Sequence, residues 1–206
     1  MNIIFIIIST VWFILPAYVA NGSGLLFGGG QPVDMNKTLM KEGKSINVKG
    51  HEFGVNDIGD GRRIIGNGVT WRGTVGGTIA GTLIGGVLGL IGQTTHFTIN
   101  QISGGMISPI VYGDVYSGLI LGFLLAFGAL LGDAIGSFIK RRIGIERGKS
   151  APVLDQLDFV IVAIILSLFV VELDIWFIIL ICALTLIIHL LTNSIAYLLG
   201  LKDIWY

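Results

Sequence analysis

Residues 159–199 read FVIVAIILSLFVVELDIWFIILICALTLIIHLLTNSIAYLL, a run that is almost wholly apolar. Crossing the ~30 Å hydrocarbon core of a bilayer takes about 20 apolar residues in a helix. The run exceeds that length, and Glu172 and Asp174 interrupt it where a turn belongs. We therefore predict two membrane helices here. They are Phe159–Val171, approached from Leu157, and Ile175–Leu199.

Three more apolar stretches precede this run. They are Asn2–Ala20, interrupted only by Pro16, about Val75–Gly92, and about Tyr116–Ile139. Only 13% of the 206 residues are charged, against roughly a quarter in soluble domains. The single Cys182 excludes a disulfide framework. The sequence thus predicts one all-α, polytopic membrane domain over residues 1–206, with about five transmembrane helices. The first stretch lacks the basic n-region of a signal peptide, and we interpret it as a retained anchor.

The basic residues are distributed asymmetrically. The segment before the second helix contains seven, the segment between the third and fourth contains five, and one follows the fifth helix. In chain order they are Lys37, Lys41, Lys44, Lys49, Arg62, Arg63, Arg72, Lys140, Arg141, Arg142, Arg147, Lys149 and Lys202. Since cytoplasmic loops carry the excess of Lys and Arg, we predict an external N-terminus and a cytoplasmic C-terminus. Two cytoplasmic loops, about residues 27–74 and 140–156, would then form the active site.

Small residues recur on the second and third helices. Those on the second helix are Gly73, Gly77, Gly81, Gly85 and Gly89, and those on the third are Gly118, Gly122, Ala126, Gly128, Gly132 and Gly136. A stripe of small residues lets a neighbouring helix backbone approach closely, and we interpret these stripes as packing surfaces. For Gly132 and Gly136, which adjoin charged residues, room for a ligand phosphate is a second interpretation.

An acidic residue near a membrane helix end begins the candidate site. Asp133 is followed at i+4, i+7 and i+8 by Ser137, Lys140 and Arg141, which places all four on one helical face. An intramembrane carboxylate is costly and usually functional. Asp155 and Asp158, spaced i, i+3, share a face at the start of the fourth helix. Three carboxylates suit a hard cation such as Mg²⁺; the alternative is an inter-helix salt bridge between Asp133 or Asp158 and a loop arginine.

The first charged loop contains a second cluster. Arg62 and Arg63 follow Asp60-Gly61, and Gly66-Asn67-Gly68-Val69-Thr70-Trp71-Arg72-Gly73 leads directly into the second helix. Glycines permit tight turns that expose backbone N–H groups, and arginines bind phosphate well. We predict that this loop contacts phosphate, although basic residues here also follow from topology alone. Asn21, at the end of the first helix, is predicted to lie near the same depth.

Gly132-Asp133-x-x-x-Ser137-x-x-Lys140-Arg141-Arg142, followed by Asp155-Gln156-Leu157-Asp158, resembles the signature of CTP-dependent membrane cytidylyltransferases. Within them the chain is most similar to the archaeal CDP-archaeol synthases. The resemblance extends to Pro16–Asn21, to the run Gly28–Asp34 and to the Asp60–Arg63 box. Two departures are Val69, where some members carry Lys, and the short Lys149–Pro152 segment before the acidic pair.

The resemblance implies cytidylyl transfer from CTP to 2,3-bis-O-(geranylgeranyl)-glycerol 1-phosphate, with release of diphosphate, at a cell membrane. It implies Mg²⁺ as the cofactor, no nucleic-acid partner, and is compatible with a homo-oligomer. The implied catalytic and metal residues are Asp133, Asp155 and Asp158. The implied substrate-binding residues are Asn21, Arg62, Arg63, Asn67, Thr70, Arg72, Ser137, Lys140, Arg141 and Arg142.

Two other classes of function remain open to the sequence. Asp57-x-x-Asp60-Gly61 begins the motif of CDP-alcohol phosphatidyltransferases, but Ile64 and Ile65 occupy the places of its Ala-Arg pair. A small transporter would carry ionisable residues near the membrane midplane, and His189 is the only one well inside a predicted span.

Overall fold

The computed structural model describes residues 3–23, 27–35, 46–48, 51–53, 64–95, 106, 111–145 and 151–200. These residues form five helices and one small hairpin. The elements are α1 (Ile3–Gly22), β1 (Ile46–Val48), β2 (His51–Phe53), α2 (Trp71–Thr95), α3 (Val115–Arg142), α4 (Leu154–Ser167) and α5 (Ile175–Leu198). The predicted all-α class is confirmed. The antiparallel hairpin, in which Ile46 pairs with Phe53, was not predicted from the sequence.

Four of the helices are long and apolar enough to cross a membrane, namely α1, α2, α3 and α5. The fourth predicted segment forms α4, which has 14 residues and is therefore about 21 Å long. This helix begins at Leu154 and ends at Ser167, earlier than the predicted Val171, because the chain turns there. The N–H groups of Val170 and Val171 both donate to the Ser167 carbonyl at 3.0 Å.

Helices α2 and α3 cross along their glycine stripes. A Cβ placed on Gly85 would approach the Gly118 carbonyl and come within 2.5 Å of the Gly122 Cα. A Cβ on Gly81 would come within 2.6 Å of the Pro16 carbonyl on α1. The stripe on α2 is therefore a packing surface, as predicted, and it contacts both α1 and α3.

Helices α3 and α4 also meet at glycines. A Cβ on Gly128 would lie 2.7 Å from the Ala163 Cα, and one on Gly132 would lie 2.7 Å from the Phe159 Cα. The Asp158 side chain occupies the space that a Cβ on Gly136 would need. In this structure Gly132 and Gly136 therefore accommodate α4, which supports packing over the ligand interpretation.

The core lies where α1, α3, α4 and α5 meet. Phe13 and Phe177 are fully buried and pack edge to face with ring centroids 5.8 Å apart. Tyr112, just before α3, is buried and donates its hydroxyl to the Phe13 carbonyl at 2.8 Å. Burial raises the pKa of the Tyr112 phenol well above its usual value, which keeps the hydroxyl protonated as a donor.

Candidate active site

A small cleft of about 50 Å³ opens where the end of α1, the start of α2 and the second half of α3 come together. The described residues that line it are Asn21, Gly28, Gly68, Val69, Thr70, Gly73, Thr74, Leu130 and Asp133. The fold thus brings three predicted site residues, Asn21, Thr70 and Asp133, to one cavity. Val69, where the resemblance leads one to expect Lys in some members, lies in its wall.

The cleft wall formed by residues 68–70 is held by pairing with residues 31–33. Val33 N–H donates to the Val69 carbonyl at 3.0 Å, and Trp71 N–H donates to the Gln31 carbonyl at 3.1 Å. These bonds satisfy main-chain groups that a glycine-rich loop would otherwise leave to solvent. The Thr70 hydroxyl accepts from the Gly73 N–H at 3.1 Å and so caps the first turn of α2.

Asp34 fixes the other end of this loop. Its side chain is buried, and its Oδ2 accepts from the N–H groups of Gly66 at 2.8 Å and Ile65 at 3.2 Å. Gly66 has φ +107°, a conformation that favours glycine. No residue pattern in the sequence predicted a place for Asp34 in the site. The only signal was its place at the end of the run Gly28–Asp34, which entered through the resemblance alone.

Asp133 lies on α3, nine residues before the helix ends at Arg142. It is the one acidic residue among the described residues that line the cleft. Its carboxylate lies within electrostatic range of Lys140 and Asp155. A carboxyl group at the wall of the cleft, with a lysine about two helical turns further along α3, suits a ligand that carries both phosphate and a metal ion.

Asp155 is bound on both carboxylate oxygens. Oδ1 accepts from Lys140 Nζ at 2.7 Å, and Oδ2 accepts from the Ala151 N–H at 2.8 Å. The salt bridge therefore joins the C-terminal end of α3 to the start of α4. The alternative drawn from the sequence was a salt bridge between a loop arginine and Asp133 or Asp158, whereas the structure forms one between Lys140 and Asp155.

Asp158 packs its carboxylate against Gly136 at the α3–α4 crossing. Its Oδ1 accepts from the Phe159 N–H at 2.7 Å, and the group lies within electrostatic range of Asp133. Among the described residues, however, no three His, Cys, Asp or Glu side chains come close enough to surround one metal ion. Asp133 and Asp158 thus form an acidic pair, with Asp155 tied to Lys140 beside it.

The arginines of α3 point in different directions. Arg141 donates from Nε to the Ile65 carbonyl at 3.4 Å and from a terminal nitrogen to the Ile145 carbonyl at 2.5 Å. Its guanidinium thus reaches residues 64–70, the segment that leads into α2 and is called the glycine loop below. The Arg142 guanidinium carbon lies 5.1 Å from the centre of the Phe138 ring, a cation–π contact.

The remaining predicted residues are dispersed. Arg72 is exposed at the start of α2, with its stem against Gly30, and Asn67 is exposed in the glycine loop. Ser137 is buried on α3. Arg62 and Arg63 lie outside the described residues.

An integral membrane fold whose helix ends enclose a cleft lined by Asp133, with Lys140 and Asp155 close to that carboxylate, fits the class of membrane-embedded enzymes that act on charged substrates. The chain belongs to the CDP-archaeol synthase family, because residues 3–55 and 48–206 match the CarS-like family described by that activity. This membership favours the cytidylyltransferase interpretation over the phosphatidyltransferase and transporter alternatives.

Similar proteins cover nearly the whole chain. The CDP-archaeol synthase of Methanocaldococcus jannaschii is 45% identical over 98% of this chain and 98% of its own length. That of Methanothermobacter thermautotrophicus is 48% identical over 97% of this chain and 94% of its own. A solved structure of an intramembrane enzyme for archaeal membrane lipids biosynthesis is 32% identical, with a TM-score of 0.63 over 89% of this chain and 91% of that one.

Proposed function

We propose that this protein transfers cytidylyl from CTP to 2,3-bis-O-(geranylgeranyl)-glycerol 1-phosphate, giving unsaturated CDP-archaeol and diphosphate. The observation that carries the proposal is the cleft beside Asp133, in a chain that aligns from end to end with CDP-archaeol synthases. The cleft joins an acidic wall to a glycine-rich wall, which suits a nucleoside triphosphate and its counter-ion.

The reaction needs no nucleophile from the protein. The lipid phosphate itself attacks the α-phosphorus of CTP in line, and diphosphate leaves. Catalysis then consists of positioning and charge neutralisation, as in phosphoryl transfer generally. Asn21 and Thr70 line the cleft as polar contacts for CTP. The other predicted substrate-binding residues are assigned to the phosphates of the two substrates. They are Arg62, Arg63, Asn67, Arg72, Ser137, Lys140, Arg141 and Arg142.

The acidic pair fits a Mg²⁺ ion that arrives with CTP. Mg²⁺ is usually held by one or two carboxylates together with substrate phosphates and water, and rarely by an all-protein cage. Asp133 and Asp158 supply two carboxylates within electrostatic range of each other, so the lack of a third close ligand among the described residues is compatible with this ion. Bound there, Mg²⁺ would supply charge neutralisation for the triphosphate. Asp155 remains a proposed third ligand.

The membrane supplies one substrate and the cytoplasm the other. Since CTP is cytoplasmic, we propose that the cleft faces the cytoplasm, with the N-terminus outside. The isoprenoid chains would reach the site laterally between the helices.

The direct test incubates purified protein with labelled CTP, Mg²⁺ and the isoprenoid glycerol phosphate in detergent. We expect diphosphate and a CDP-lipid in equal amounts. A reaction that starts from the CDP-lipid and releases CMP would contradict the proposal and favour a phosphatidyltransferase. A matched incubation with ATP in place of CTP controls for general nucleotide hydrolysis.

A further inference from the structure

The glycine loop is held on two sides by hydrogen bonds to side chains that are not among the described residues lining the cleft. Asp34 accepts the N–H groups of Ile65 and Gly66, and Arg141 donates to the carbonyl of Ile65. Opposite faces of the same short segment are therefore fixed by a carboxylate and a guanidinium. After Gly66 the chain continues through Asn67 into the cleft wall at Gly68–Thr70.

The burial of the Asp34 carboxylate is energetically costly, which points to a specific function for this side chain. Only 7% of its surface is exposed, and burying a carboxylate is unfavourable unless hydrogen bonds replace its hydration. The two backbone donors at 2.8 and 3.2 Å are among these bonds, and bonds to a charged acceptor are stronger than neutral ones. The same carboxylate would not be needed merely to close the loop, because residues 31–33 already pair with residues 69–71.

We propose that Asp34 is a positioning residue, which sets the Gly68–Thr70 wall of the cleft relative to Asp133 and thereby governs the binding of CTP. The inference rests on the proposed function for the identity of the nucleotide. It does not place Asp34 in contact with substrate, since the residue is absent from the described lining of the cleft.

Two variants of Asp34 test this role. Asp34→Ala removes the acceptor, so the loop loses its anchor; we expect the KM for CTP to rise about tenfold or more, with kcat changed less than threefold. Asp34→Asn keeps one oxygen that accepts from the same N–H groups, and should stay within threefold of the wild-type KM. Equal damage from both variants would overturn the proposal, because it would mean that the negative charge itself is required.

Asp114→Ala is the matched control for a loss of stability alone. Asp114 also accepts a backbone N–H, that of Ser117 at 3.0 Å, but it caps α3 at the end away from the cleft. We expect this variant to lower the melting temperature with no change in the KM for CTP. If Asp114→Ala raised the KM as much as Asp34→Ala, the effect would be general loosening, and the positioning role would be wrong.

Hydrogen exchange gives a readout that does not depend on the reaction. In the Asp34→Ala protein without nucleotide, the amides of Ile65 and Gly66 should exchange at least tenfold faster than in wild type, while those of α3 stay unchanged. Unchanged exchange at Ile65 and Gly66 would overturn the proposal. Wild-type protein that released no diphosphate would overturn the proposed function alone, and the exchange rates would still decide the role of Asp34.

Discussion

The Nζ of Lys140 lies 2.7 Å from the Oδ1 of Asp155, and this ion pair joins the end of α3 to the start of α4. The side chains are 15% and 26% exposed, so solvent screens the pair less than it would a surface salt bridge. Exposed pairs contribute about 0–1 kcal/mol, whereas the loss of one partner from a buried pair costs about 3–5 kcal/mol. Because this pair is mostly buried, its contribution to the free energy of unfolding should lie between those limits.

We expect Lys140→Met and Asp155→Asn each to lower the free energy of unfolding, and the double variant to lose less than their sum. The coupling energy should be about 0.5–3 kcal/mol, because each single variant leaves a half-buried charge without its partner. Denaturant unfolding in detergent measures the cycle. Strictly additive effects would contradict the prediction.

Diphosphate release at graded Mg²⁺ concentrations tests whether Asp155 also binds the metal ion. Only a variant that loses a metal ligand should need more Mg²⁺ for the same rate.

Asp133→Asn and Asp158→Asn should each lower turnover roughly 10²–10³-fold, the size typical of losing a preorganised electrostatic contact. Asp155→Asn should do the same if it is a third metal ligand. The melting temperatures of Asp133→Asn and Asp158→Asn should remain near wild type, since Asn is isosteric with Asp, whereas Asp155→Asn also loses the ion pair with Lys140. The rate of diphosphate release at saturating Mg²⁺ is the measurement. Glu172→Gln, an exposed acid in the turn after α4, is the control and should have no effect. Near wild-type rates in two of the three Asp variants would disprove the acidic metal site.

Gly85→Ala should destabilise the α2–α3 crossing. Its added methyl group would meet the backbone of α3, which cannot move aside as a flexible side chain can. Overpacking of this kind costs about 1–3 kcal/mol. Thermal unfolding in detergent should show a clear fall in melting temperature. Gly22→Ala is the matched control, because nothing lies within 4 Å of a Cβ there; an equal loss in both variants would mean that close helix approach is not the cause.

Arg62→Ala and Arg63→Ala should each weaken the use of CTP or of lipid phosphate by roughly ten- to hundredfold, since a charge-assisted hydrogen bond is worth about 1.5–3 kcal/mol. Lys44→Ala, in the part of the loop without closely spaced glycines, should have almost no effect. Steady-state kinetics with each substrate varied in turn separates the two uses. Equal and small effects from all three variants would show that the charge of this loop only sets topology.

The orientation can be tested with a membrane-impermeant thiol reagent, after Cys182→Ala removes the native cysteine. His96→Cys should be labelled from outside intact cells. Lys49→Cys and Lys149→Cys should be labelled only after the cytoplasmic side is opened, because the basic residues concentrate in those loops. Labelling of Lys149→Cys from outside would show that the predicted orientation is wrong.

The sequence by itself determined the membrane class, the helices and their packing surfaces. Apolar length specifies a spanning helix because bilayer thickness is fixed, and glycines at every fourth position mark one face whatever packs on it. Gly85 and Gly122 were therefore predicted correctly as contact points. The boundary of α4 was less well predicted, because an apolar sequence does not reveal that the chain turns at Ser167.

Only the tertiary structure decided which charged groups meet. Lys140 and Arg141 are adjacent in sequence, yet one reaches Asp155 on α4 and the other the carbonyl of Ile65 in the glycine loop. Asp34 reaches a loop about thirty residues away, a pairing that no local pattern encodes. Periodicity along one helix fixes the direction of each residue on that helix, but the partner it meets depends on how separate segments pack, and that is a property of the whole fold.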